Sequence, residues 1–160
     1  MGNGSQKNTP PFSRNVDENH SQRGLALFNA ARFFDAHEAL EDAWREVSRQ
    51  SPLRRHLQGL VQLAVAFHHQ STGNCVGALS VLKRGLRNLE GAEESLPELD
   101  LVKLRSSLEA WLEYLESSSK AADSGDASDA SPSVRSLDAT RTHIPMPRLP
   151  QITLRRELRR

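Results

Sequence analysis

The residues best equipped for chemistry lie in one short stretch, His37-Glu38-Ala39-Leu40-Glu41, followed by Trp44. On a helix His37 and Glu41, four positions apart, are neighbours on one flank, beside Trp44. An imidazole and a carboxylate so placed can share a divalent metal, or form an acid–base pair in which the carboxylate orients the ring. Glu38 lies about 100° around the helix, where it suits a helix cap or, in a metal site, a general base. This is not the zinc-protease pattern, which sets two histidines four apart with a glutamate between them. A second polar row, Gln58, Gln62 and His69, is spaced to share one face of a later helix. If the two flanks meet, His37, Glu41, Trp44, Gln58, Gln62 and His69 line a polar pocket. His37, Glu41 and His69 would then supply three metal ligands and leave a position for water. The competing expectation is that a histidine at the edge of a helix interface is a packing residue.

Other reactive types have plainer uses. His56 and His68 fall on the apolar side of their helix and suit packing or an interface, while His20 and His143 have no supporting context. Cys75 stands at a helix start, where a thiolate would be favoured, but a small half-buried residue is the simpler role. As the single cysteine it excludes an intramolecular disulfide and a multi-cysteine zinc site. Gly77 and Gly85 could allow close helix approach and form no phosphate loop. Lys83, Arg84 and Arg87 make a small basic face that Glu90, Glu93 and Glu94 follow at once, so a solvated surface is expected.

Apolar spacing of three and four predicts five helices, at about 16–32, 36–49, 52–72, 75–90 and 97–118. Asp35 with Glu38 resembles a capping box, Ser51-Pro52 reads as N-cap and first helical position, Asn74 as an N-cap and Gly91 as a stop. The third helix is apolar over most of its circumference and belongs in the middle of a bundle. Only Gln58, Gln62 and His69 leave it a polar seam. An offset of 39 residues pairs Phe28 with Phe67, Asp35 with Asn74, Ala39 with Ala78 and Leu40 with Leu79, as two helical hairpins of one tetratricopeptide-like design would. No window shows strand periodicity. The fold expected is therefore all-α, a compact bundle of antiparallel helical hairpins without a sheet.

The 160 residues carry 21 Lys and Arg against 20 Asp and Glu, a near-neutral total that conceals segments of opposite sign. Residues 1–15, expected to be disordered, carry +2; residues 16–118, the expected helical domain, carry 11 basic and 15 acidic side chains, net −4. Residues 119–140 hold two against four and read as a flexible acidic Ser/Asp-rich linker; residues 141–160 hold six against one, a basic Pro-containing tail. Seven of the eight aromatics lie between positions 28 and 114. About 100 residues is enough to bury a stable core unaided. The tail includes Pro147 and Pro150 at PxxP spacing and could contact nucleic acid, an anionic surface or the acidic body itself, a solvated tail being the plain alternative. No apolar run is long enough to span a membrane and the first residues form no signal peptide, so a cytoplasmic protein is expected.

The order Phe33-Phe34-Asp35-Ala36-His37-Glu38-Ala39-Leu40-Glu41, then Leu57-Gln58-Gly59-Leu60, then His68-His69 and Gly73-Asn74, resembles the prokaryotic helical family catalogued as domain of unknown function 309, over about residues 20–91. The resemblance implies an all-α bundle, and it places the family's polar motifs on His37, Glu38, Glu41, Gln58 and His69. His68 departs from the aromatic or aliphatic residue expected there. Some members carry the label of metal-dependent hydrolase. Two functions follow as expectations. One is a binding or interaction module that takes a protein or small-molecule partner in the polar pocket between the second and third helices. The other is a metal-dependent hydrolase using the same residues, with Glu38 as base.

Overall fold

The computed structural model describes residues 14–123 and 144–155; the expected N-terminal segment before residue 14 and most of the expected linker lie outside them. Five helices follow one another: α1 (Arg14–Asn29), α2 (Phe33–Glu46), α3 (Pro52–Ser71), α4 (Cys75–Asn88) and α5 (Leu101–Asp123). Each packs chiefly on its neighbour in sequence, as short connections between antiparallel hairpins require. Among the described residues there is no sheet, only an isolated antiparallel bridge between Leu99 and Leu154. None of their helices is long and apolar enough to cross a membrane.

The core forms around an aromatic cluster. Phe67 of α3 meets Phe28 of α1 edge-on at 5.8 Å, Phe33 of α2 at 5.5 Å and Trp111 of α5 edge-on at 5.2 Å. Rings in such T-shaped contact add about 0.5–1.5 kcal/mol per pair to the gain from burial alone. Leucines 40, 60, 63, 82, 104, 108 and 115 close the core around them. The central position expected of α3 holds, since Leu57, Leu60, Leu63, Ala64, Ala66 and Phe67 are all buried. Where α3 and α4 cross, Gly59 and Gly85 face each other: a Cβ on Gly59 would sit 2.8 Å from Leu89 Cγ and 3.1 Å from the Gly85 carbonyl. Gly77 plays no such part, because its neighbour is the side chain of Asn74.

Helix ends differ from expectation in instructive ways. Asp35 does not cap α2, which begins two residues earlier at Phe33; its carboxylate instead takes the Arg32 guanidinium at 2.7 Å. The early start follows from the way α1 ends. Arg32 N–H bonds the Leu27 carbonyl and Ala31 N–H the Phe28 carbonyl, a Schellman closure that puts Ala31 in the left-handed region at φ 59°. Ser51 occupies the N-cap position of α3 with Pro52 next, yet its side chain makes no capping bond. Asn74 caps α4 as expected, its Oδ1 accepting Gly77 N–H at 2.9 Å. The last helix starts at Leu101 rather than Pro97, because Asp100 caps it, Oδ1 accepting Lys103 N–H at 3.1 Å. It runs to Asp123, five residues into the stretch expected as linker.

The larger departure concerns the expected basic tail, whose residues 144–155 lie against the body instead of in solvent. Pro150 is fully buried and Ile152 only 4% exposed. Trp111 Nε1 donates to the Arg148 carbonyl at 2.9 Å, and the Asn29 amide bonds both backbone groups of Ile152, at 2.9 and 2.8 Å. Apolar side chains at positions 150 and 152 thus outweigh the basic composition that suggested a solvated tail.

Two predictions follow from the helix connections. Ala31 is exposed and a non-glycine residue in the left-handed region costs roughly 1–2 kcal/mol, part of which the greater unfolded-state freedom of glycine takes back. Ala31→Gly should therefore raise the urea midpoint by the equivalent of about 0.5–1 kcal/mol at unchanged slope; a lowered midpoint would show that the closure tolerates alanine without strain. Between α4 and α5, Arg105 donates to Glu93 at 2.6 Å and to the Leu89 carbonyl at 2.7 Å. The backbone N–H of Glu93 and the Arg105 guanidinium, both bonded to the Glu93 carboxylate, hold it below the ordinary glutamate value, with His56 adding a smaller attraction. A lowered folded-state value gives stability that is full above the unfolded value of about 4.3 and is lost as pH falls through the folded one. Thermal melts from pH 7 to pH 3 should accordingly fall less steeply for Glu93→Gln than for the parent.

Candidate functional site

The apolar stripe of α2, Ala36, Leu40 and Ala43, turns its His37–Glu41 flank to the edge of the bundle. His37 Nε2 lies 3.3 Å from Glu41 Oε2, each side chain 29% exposed, and the other Glu41 oxygen accepts Arg45 Nη2 at 2.7 Å. Glu41 is thus a carboxylate held between an imidazole and a guanidinium. Arg45 also reaches Asp42 at 3.5 Å. Glu38 is exposed on the same helix.

Trp44 belongs to a different arrangement. The Arg54 guanidinium of α3 sits 4.1 Å over its ring and donates to the Trp44 and Val47 carbonyls, at 2.9 and 2.6 Å. A cation there serves the free carbonyls at the end of α2 and complements the helix dipole. Trp44 Nε1 is buried without a hydrogen-bond partner among the described residues.

The second row of expected site residues turns towards α4, away from α2. Gln62 Oε1 accepts Asn88 Nδ2 at 2.8 Å. His69 Nδ1 stands 3.3 Å from Asn74 Nδ2, so the amide that caps α4 with its oxygen offers its nitrogen to the imidazole. That pairing gives His69 a structural task, steadying the turn between α3 and α4. Gln58 is exposed. The pocket expected from His37, Glu41, Trp44, Gln58, Gln62 and His69 is therefore divided between two faces of α3.

A divalent metal does not fit what remains. His37 and Glu41 make a pair with Glu41 already bonded to Arg45, His69 is engaged with Asn74, and among the described residues no three His, Cys, Asp or Glu side chains gather to hold a metal ion. Cys75, half-buried at the start of α4, is free.

Rings, not ligands, connect α2 with the end of α3. Phe34 lies 6.2 Å from His37 and 5.6 Å from His68, and His68 lies 6.4 Å from His69. Phe34 is 54% exposed, although its neighbour Phe33 is buried. Sequence reasoning passed over Phe34; the signal was available in its place off the apolar stripe of α2. His56 is buried with Nδ1 lacking a partner among the described residues, consistent with a packing residue.

Residues 21–81 match the sequence profile of a family described as "Domain of unknown function (DUF309)". The chain is also 33% identical over 78 residues to the uncharacterised protein YpuF of Bacillus subtilis (strain 168), an alignment covering 48% of this chain and 44% of YpuF. The chain thus spans less than half of that relative's length. The profile match runs from α1 into α4 and includes His37, Glu41 and His69, whereas α5 and the 144–155 segment fall outside it. Over residues 21–81 the chain is thus similar to the DUF309 family.

Proposed function

We propose that the protein is a cytoplasmic binding module whose contact surface is the α2–α3 face carrying Phe34, His37, Glu41 and His68. Phe34 is the observation that carries this reading. An aromatic ring more than half exposed, set against two imidazoles, is the kind of anchor that protein interfaces bury. Beside it the Glu41 carboxylate, held in place by His37 and Arg45, keeps a lone pair on each oxygen for a hydrogen-bond donor on a partner. Gln58, Gln62 and His69 are left out of this surface because the last two serve α4. A metal-dependent hydrolase built on His37, Glu41 and His69, with Glu38 as base, has no comparable support.

A photo-crosslinking phenylalanine analogue at position 34 of the full chain should capture a defined partner in cells. Capture should fail in the Glu41→Ala and His37→Ala backgrounds while unfolding free energies stay within about 0.5 kcal/mol of the parent, as for surface substitutions generally. Capture indifferent to both substitutions would remove the surface from consideration. Stoichiometric divalent metal in chelator-free protein, lost on His37→Ala, would reinstate the hydrolase.

A further inference from the structure

The 144–155 segment lies on the helical body as a peptide ligand lies on a receptor. Its backbone is read mainly by side chains and turn groups. The Asn29 amide donates Nδ2 to the Ile152 carbonyl and accepts Ile152 N–H at Oδ1, so one primary amide satisfies both backbone groups of one residue. Trp111 Nε1 donates to the Arg148 carbonyl, Asp100 N–H to the Thr153 carbonyl at 2.9 Å, and Arg155 N–H to the Glu98 carbonyl at 2.7 Å. Gln151 Nε2 returns a bond to the Asn29 carbonyl at 3.2 Å. Between these contacts only Pro150 and Ile152 are buried, while Met146, Leu149 and Leu154 stay exposed. Main-chain bonds for affinity and pockets for alternate side chains are how extended peptides are recognised. A proline fits two residues before the isoleucine, having no N–H to satisfy where it is buried.

In the sequence, 20 residues, 124–143, separate this segment from the end of α5. We propose that the groove bounded by Asn29, Trp111 and the 98–100 turn is a recognition site for an extended basic peptide with a Pro-x-Ile core, presented by another protein. Residues 148–153 are its tethered occupant, which such a partner displaces. The basic character follows from Arg148 and Arg155 flanking the core, and from the excess of 15 acidic over 11 basic side chains in residues 16–118. This surface is separate from the Phe34 face, and either can exist without the other.

The test uses the full chain with a protease site inserted within residues 124–143, folded first and then cut. A fluorescent peptide of residues 144–155 should exchange into the cut protein, giving saturable anisotropy. A peptide carrying Ile152→Asp should not bind, a control that leaves the protein itself untouched. Asn29→Asp in the protein, which keeps the acceptor and loses the donor, should weaken binding by at least about tenfold. The uncut chain should bind the same peptide at least about tenfold more weakly than the cut one, because a short tether supplies an effective concentration on the order of millimolar. If the labelled peptide enters only as circular dichroism reports unfolding, the segment is a fixed part of the core and the proposal fails. It also fails if light scattering shows uncut chains pairing through exchanged segments and the labelled peptide does not bind, since the occupant is then a second copy.

Discussion

The edge-to-face contact of Phe67 with Trp111 is the constraint on which the other packing decisions rest. Phe67 also touches Phe28 and Phe33, so one phenylalanine on α3 gathers α1, α2 and α5 around itself. Trp111 has a second commitment, because its indole N–H must find an acceptor if the ring is to be fully buried. The Arg148 carbonyl meets that need from a segment that belongs to no helix. The aromatic centre thus extends a polar link outward, and the segment beyond α5 becomes part of the same packing problem. Only α4 is fastened differently, by backbone-close approach at Gly59 and Gly85.

The helical layout was legible because each helix has to bury one stripe, and stripes of leucine, alanine and aromatic residues announce themselves by spacing. Helix ends were less so. Asp35 has the right type and distance for a cap, but the closure of α1 through Ala31 delivers the chain into α2 before that residue is reached. Pro97 has the right type for a first turn, yet Leu99 is needed in the core and in the bridge to Leu154, which moves the start to the cap at Asp100. A local rule was obeyed at Asn74, where no tertiary demand competes with it.

For the candidate site the division is sharper. The spacing along α3 sets its polar seam apart from its buried side, but spacing assigns faces, not neighbours. Gln62 and His69 met Asn88 and Asn74, and which helix would lie opposite them was never encoded in their own spacing. The His37–Glu41 pair was legible because both partners lie on one helix at a spacing that brings them together. Asn29 was out of reach for the opposite reason. Its significance depends on Ile152, 123 residues away along the chain. Pro150 and Ile152 were masked by averaging, since two buried side chains do little to the composition of a basic segment.

The Asn29–Ile152 contact has a consequence in time. Domains fold as they emerge from the ribosome, N-terminal parts first, at about 5–20 residues per second. Asn29 and the residues of α1 to α4 therefore leave the ribosome before residues 144–155 do. Each nascent copy passes through an interval in which the Ile152 backbone is not yet available to the Asn29 amide. During that interval chaperones and neighbouring nascent chains meet a surface that the finished protein covers.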